Sequence, residues 1–80
     1  MATEIIVYTK DKPGLLYKLS GAVSISGFNV IEAKVSTLKN GMALDVLWVR
    51  DLNGLMLDNL YHFPKLKKIM YKILLNNFSL

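Results

Sequence analysis

The chain has no cysteine. That excludes a disulfide framework and a thiolate metal site, and it suits a reducing compartment, so a cytoplasmic location is expected. There is one histidine, His62, so a two-histidine metal centre cannot form within one chain. His62 reads as a partly buried or surface residue, and Ser20, Ser24 and Ser26 have no local base to make a nucleophile. Asp45 and Asp51 lie on or near one strand, about 20 Å apart by strand rise, too far for the paired carboxylates of a glycosidase. Asp45 itself reads as a solvent-face residue or a hydrogen-bond partner. The glycine patterns of a phosphate loop and of a dinucleotide fold are both missing. No apolar run approaches the roughly 20 residues that cross a bilayer. Glu4 stands directly before a short apolar run without a basic leader, so neither a signal peptide nor a membrane partner is expected. No catalytic residue, metal or cofactor is expected in this stretch.

What is present is a small, apolar unit. The 80 residues suit one domain, residues 1–80, yet 52% are hydrophobic, a high share for that size. Such a chain is expected to bury surface against a partner and to be cut from something larger. The net charge is +4. Lys65, Lys67, Lys68 and Lys72 cluster near the C-terminus and read as the solvated face of an amphipathic helix. No arginine or aromatic pattern accompanies them to suggest nucleic acid, and no nucleic-acid partner is expected.

Periodicity assigns the elements. Residues 4–9, EIIVYT, are β-branched and aromatic, hence a strand. Leu15, Leu16, Leu19, Ala22 and Val23 recur at helical spacing, which predicts a helix over 13–26 with Pro13 in its first turn and Gly27 at its C-cap. Over 28–38, Ile31, Ala33 and Val35 share one face and Glu32, Lys34 and Ser36 the other, a strand with one wet side. Asn40-Gly41 signals a type I′ hairpin turn into a returning strand over 42–50, closed by turn residues through Gly54. Leu66, Ile69, Met70, Ile73 and Leu74 form a second stripe, predicting a helix over 64–76 with Pro64 in its first turn. Residues 55–63 read as loop or an early turn of that helix, and the last five residues as a frayed end.

Strand, helix, strand, strand, helix is the α+β, ferredoxin-like βαββαβ order truncated to βαββα. The fourth strand is missing and is expected to follow Leu80, as an apolar strand beside the first. Without it the first strand carries an open edge. Gly14 stands where the first strand hands over to the first helix. Two readings stay open: a tight turn, or a place where something approaches bare backbone at a helix N-terminus that attracts anions.

The segment DKPGLLYKLSGAVSISGFNVIEAKVST, followed by GMALDVLWVRDLNG, resembles an ACT domain, the small amino-acid-sensing regulatory module. The resemblance rests on Asp11 to Leu16 at the first helix start, paired with Gly27, Phe28, Asn29 and Val30 at the second strand. Gly41 to Asp45, then Val49, Asp51 and Gly54, look most like the ACT modules of the PII-protein uridylyltransferase/uridylyl-removing enzymes. The entry TEIIVYTKDKPGL points to the first of the two C-terminal modules. The resemblance covers residues 3–54 well and is weak beyond. It implies a cytoplasmic regulatory module without catalysis of its own. The parent would be a nucleotidyltransferase with hydrolytic uridylyl removal, acting on the PII protein in nitrogen control and responding to glutamine. It also implies pairing, as a homodimer or with a second ACT module. Asp11, Pro13, Gly14, Leu15 and Leu16 of one module would face Asn29, Val30 and Ile31 of the other across a shared amino-acid site. Backbone around Gly14 and Leu15 would hold the ligand carboxylate. A structural dimerisation module that binds no ligand, in another metabolic or signalling protein, is the alternative.

Overall fold

A computed structural model describes residues 2–51 and 62–76. The elements are β1 (Thr3–Lys10), α1 (Leu15–Ile25), β2 (Phe28–Thr37), β3 (Met42–Asp51) and α2 (His62–Asn76). The three strands form an antiparallel sheet in the order β1-β3-β2. This is the ferredoxin-like arrangement of βαββα, with β1 and β2 as the two edges. No fourth strand occurs among the described residues. Residues 52–61 and 77–80 lie outside them, and with these the expected turn through Gly54, most of the stretch 55–63 and the end of the chain; His62 and Phe63 of that stretch are the first turn of α2.

Both helices pack on one face of the sheet. From β3, Ala43, Leu47 and Val49 point toward them and are buried with Ile5 of β1. The α1 stripe contributes Leu15, Leu19, Ala22 and Val23, and α2 adds Leu66, Met70 and Ile73. Burying a residue such as Leu19 contributes about 1.5–3 kcal/mol before entropy is counted. The lysine side of α2 is exposed. One aromatic does lie on it, contrary to the sequence reading: Tyr71, with the Lys67 ammonium 5.8 Å from its ring centre.

Four local features differ from the sequence expectations. Helix α1 begins at Leu15, not at 13, because Pro13 and Gly14 form a turn first. Helix α2 begins earlier, at His62, whose ring meets Phe28 edge-on at 5.2 Å. The hairpin is not a two-residue type I′ turn. The Gly41 N–H donates to the Leu38 carbonyl at 3.1 Å and the Leu38 N–H to the Met42 carbonyl at 2.8 Å. The connection is therefore three residues, Lys39 to Gly41, and Gly41 at φ 81 takes the left-handed place that ends such a loop. The Asn40 side chain braces it, accepting from the Met42 N–H at 3.0 Å and donating to the Tyr8 hydroxyl at 3.2 Å.

The fourth difference is in β2. Val30 pairs with Val49 and Glu32 with Trp48, so Ile31 is an extra residue in a bulge. The inward set is thus Val30, Ala33 and Val35, and Ile31 leaves the alternation. Residues 34–41 are exposed on both sides. The reason is length: ten strand residues extend roughly 33 Å, whereas the eleven residues of α1 reach about 16 Å. The hairpin end of β2 outruns its helical cover.

Candidate functional site

The β1–α1 joint is built as a turn. The Leu15 N–H donates to the Lys12 carbonyl at 3.1 Å, with Pro13 and Gly14 as the central residues. Gly14 has φ 75 and ψ 13, the third-position geometry of a type II turn, and proline is favoured at the second. Gly14 is also the N-cap of α1, and its carbonyl accepts the first helical bond, from the Lys18 N–H at 3.0 Å. A side-chain carbon built on Gly14 would meet nothing within 4 Å. So the turn demands glycine through its backbone angle, and the space above it is open.

That geometry redistributes the expected ligand contacts. The Leu15 N–H is already bonded within the turn, and its side chain is buried in the core. The amides of Leu16 and Tyr17 follow it in the first turn of α1, where an α-helix offers no internal acceptor. No side chain caps them. They, with the Gly14 N–H, are the donors an anionic group would meet, favoured by the helix dipole. Tyr17, 72% exposed, was not anticipated from the sequence; its position one residue past the Leu15-Leu16 pair was the available signal.

Asp45 lies at the same end of the sheet, opposite Val7 of β1 and Val35 of β2. The sequence reading placed it on the solvent face or in a hydrogen bond; the structure shows neither. Its residue is 1% exposed and neither carboxylate oxygen has a hydrogen-bond partner. Burial pushes the Asp45 carboxyl above its usual range, and the negative charge of nearby Asp11 pushes it further. Two acids of like charge thus sit at the foot of the turn, one buried and one exposed.

Two ties fix the joint to the rest of the fold. The Asp11 N–H donates to the Gly41 carbonyl of the hairpin at 3.1 Å. The Lys12 ammonium donates to the Leu74 carbonyl at 3.3 Å, near the C-terminus of α2. A cation there meets the negative end of the helix dipole. Lys12→Met is expected to cost about 1 kcal/mol, read as a Tm several degrees lower, because it leaves that carbonyl without its cation.

The other half of the expected site stands elsewhere. Asn29 is exposed, Val30 half-buried and Ile31 47% exposed, at the start of β2. Asn29 pairs with Arg50 at one end of β3, whereas Lys10, just before the turn, pairs with Met42 at the other. Eight strand steps, roughly 27 Å, separate them. One chain therefore does not bring Asp11, Pro13, Gly14, Leu15 and Leu16 against Asn29, Val30 and Ile31. Only a second sheet end can do so. No group of metal ligands occurs among the described residues, and no described helix is long and apolar enough to cross a membrane.

Comparison with known proteins gives one recurrent result. No family model and no solved structure matches the chain. Among curated proteins it is 35% identical over 72 residues to a bifunctional uridylyltransferase/uridylyl-removing enzyme of Gluconobacter oxydans, covering 90% of this chain and 8% of that enzyme. The enzyme of the same description from Rhodospirillum rubrum is 33% identical over 78 residues, 98% of this chain and 8% of its own length. That from Novosphingobium aromaticivorans is 34% identical over 79 residues, 99% of this chain and 9% of its own. The chain spans under a tenth of the length of these relatives. Over nearly all of its residues, it is similar to one segment of bifunctional uridylyltransferase/uridylyl-removing enzymes.

Proposed function

We propose that the chain is an amino-acid-sensing regulatory module of the ACT type, of the kind carried by a uridylyltransferase/uridylyl-removing enzyme, with glutamine as its ligand. It has no catalysis of its own in this reading. It biases the parent between adding and removing uridylyl groups on the PII protein in nitrogen control. The similarity to segments of those enzymes supports the parentage.

The observation that carries the ligand is the chemistry at the β1–α1 turn. Uncapped amides of α1 suit a carboxylate, and exposed Asp11, with buried Asp45 near it, supplies negative charge that suits an ammonium. A free α-amino acid carries both groups a few ångströms apart. The start of β2, at the far end of the sheet, closes the site only from a second module, so binding and association are linked. A ligand that bridges two modules stabilises the paired state by its differential affinity and by nothing else.

Glutamine titrated to millimolar concentration into isotope-labelled protein is expected to move the amide signals of Gly14, Leu16 and Tyr17 first. Glutarate, which keeps a carboxylate and lacks the ammonium, is expected to move them far less. Unmoved signals with glutamine, in protein shown to be paired, would sink the sensing reading and leave a module that only associates.

A further inference from the structure

We infer that Asp45 couples the β1–α1 turn to acidity: in mildly acidic solution it keeps its proton while the turn is empty and gives it up to solvent when an ammonium group settles beside Asp11. The inference rests on the sensing reading and adds a second input, pH, to the same site.

The first ground is burial without a partner. Asp45 is 1% exposed, and neither of its carboxylate oxygens has a hydrogen bond. It stands on β3, the middle strand, between Val7 of β1 and Val35 of β2. A strand added at either edge of the sheet therefore leaves its surroundings unchanged. An unbonded carboxyl in such a place costs less neutral than charged. Folded proteins leave few buried side-chain oxygens unbonded, and one that persists asks for a role.

The second ground is the set of charges around it. Asp11 acts on Asp45 through its own negative charge and makes the proton harder to lose. The backbone of Asp11 is fixed, its N–H bonded to the Gly41 carbonyl at 3.1 Å. The cations of the neighbouring elements are directed elsewhere. Lys10 of β1 and Lys34 of β2 alternate onto the outer face of the sheet. Lys12 of the turn donates to the Leu74 carbonyl at 3.3 Å. Lys18 is half-buried at the flank of the α1 stripe, and the lysines of α2 are exposed.

The third ground is what an amino acid changes there. Its carboxylate meets the first-turn amides of α1, and its ammonium is drawn to exposed Asp11. That cation cancels the field of Asp11, and its own charge favours the ionised form of Asp45. Linkage makes the effect reciprocal. The factor by which the ligand weakens the hold on the proton is the factor by which the proton weakens the ligand.

The test is calorimetry of glutamine binding, in protein shown to be paired, in two buffers of different ionisation heat at about pH 5.5, where the ligand keeps both its charges. The heats should differ by the proton released. The affinity should rise about threefold to tenfold from mildly acidic solution to neutrality. Asp45→Asn should bind glutamine less tightly, with equal heats in both buffers and an affinity that is flat with pH. A carboxyl-carbon NMR titration reads the step directly: saturating glutamine should lower the pH at which Asp45 titrates. Glutamine that binds with equal heats and leaves that titration in place overturns the inference, while the sensing reading stands. Proton release that survives in Asp45→Asn belongs to another group and overturns it as well. Should Asp45→Asn bind too weakly for calorimetry, the NMR titration decides. Absence of binding at any pH, with the Gly14, Leu16 and Tyr17 amides unmoved, defeats both readings.

Discussion

Asp45→Asn is expected to make the protein more stable, by about 1–2 kcal/mol at neutral pH, or a rise in Tm of roughly 5–10 °C. Most changes to a buried strand residue do the opposite. Here the native side chain is a buried acid, opposite Val7 and Val35 in the sheet, with both oxygens unbonded. Its carboxyl is held above the usual range, first by burial and then by Asp11. The sign follows. A carboxyl that binds its proton more tightly when folded favours the fold at low pH, and that contribution is lost as pH rises through the raised pKa. The gain from Asp45→Asn should therefore be largest near neutrality and shrink as the pH falls toward 4. Thermal melts of both proteins between pH 4 and 8 measure it. A gap that is constant with pH, or a less stable variant, would show that Asp45 is satisfied in solution by a partner. The same change should weaken glutamine, since it removes one of the two negative groups at the turn. A more stable protein that senses less well is the mark of a residue kept for function.

Gly14 carries the second large effect, in the opposite direction. Its φ of 75 lies where residues with a branched β-carbon are seldom found. Gly14→Val is expected to cost about 2–3 kcal/mol, and Gly14→Asn well under half of that, because asparagine tolerates left-handed backbone. Nothing lies within 4 Å of the added carbon, so the ranking should follow backbone preference and not side-chain size. Chemical denaturation resolves the two cases. Were Gly14→Asn as damaging as Gly14→Val, something would occupy the space above the turn even without ligand. For function, Gly14→Asn is the informative variant. It keeps the turn and fills the open space, so it should lose glutamine while folding and pairing persist. Lost pairing instead would favour the structural alternative.

The fold was readable because its apolar periods are clean. The α1 and α2 stripes predicted from Leu15 to Val23 and from Leu66 to Leu74 are the ones that pack. The misreadings have physical causes. In β3 the odd residues Ala43, Leu47 and Val49 and the even residues Leu44, Val46 and Trp48 are equally apolar. Alternation alone could not say which side the helices cover, and so could not place Asp45. Pro13 suits both a first helical turn and the second position of a type II turn, and the glycine after it decides in favour of the turn. The bulge at Ile31 has no local sequence signal; it appears only when β2 is laid against β3. The distance between the turn and the start of β2 is likewise a fact of topology, invisible in motifs of adjacent residues.

The bulge has one more consequence. Strand addition at an open edge lets chains join without limit, as in a growing fibril. The β2 edge is interrupted at Ile31, where the extra residue breaks the ladder an incoming strand would need. The bulge thus acts as a guard that makes β2 a poor template for another chain.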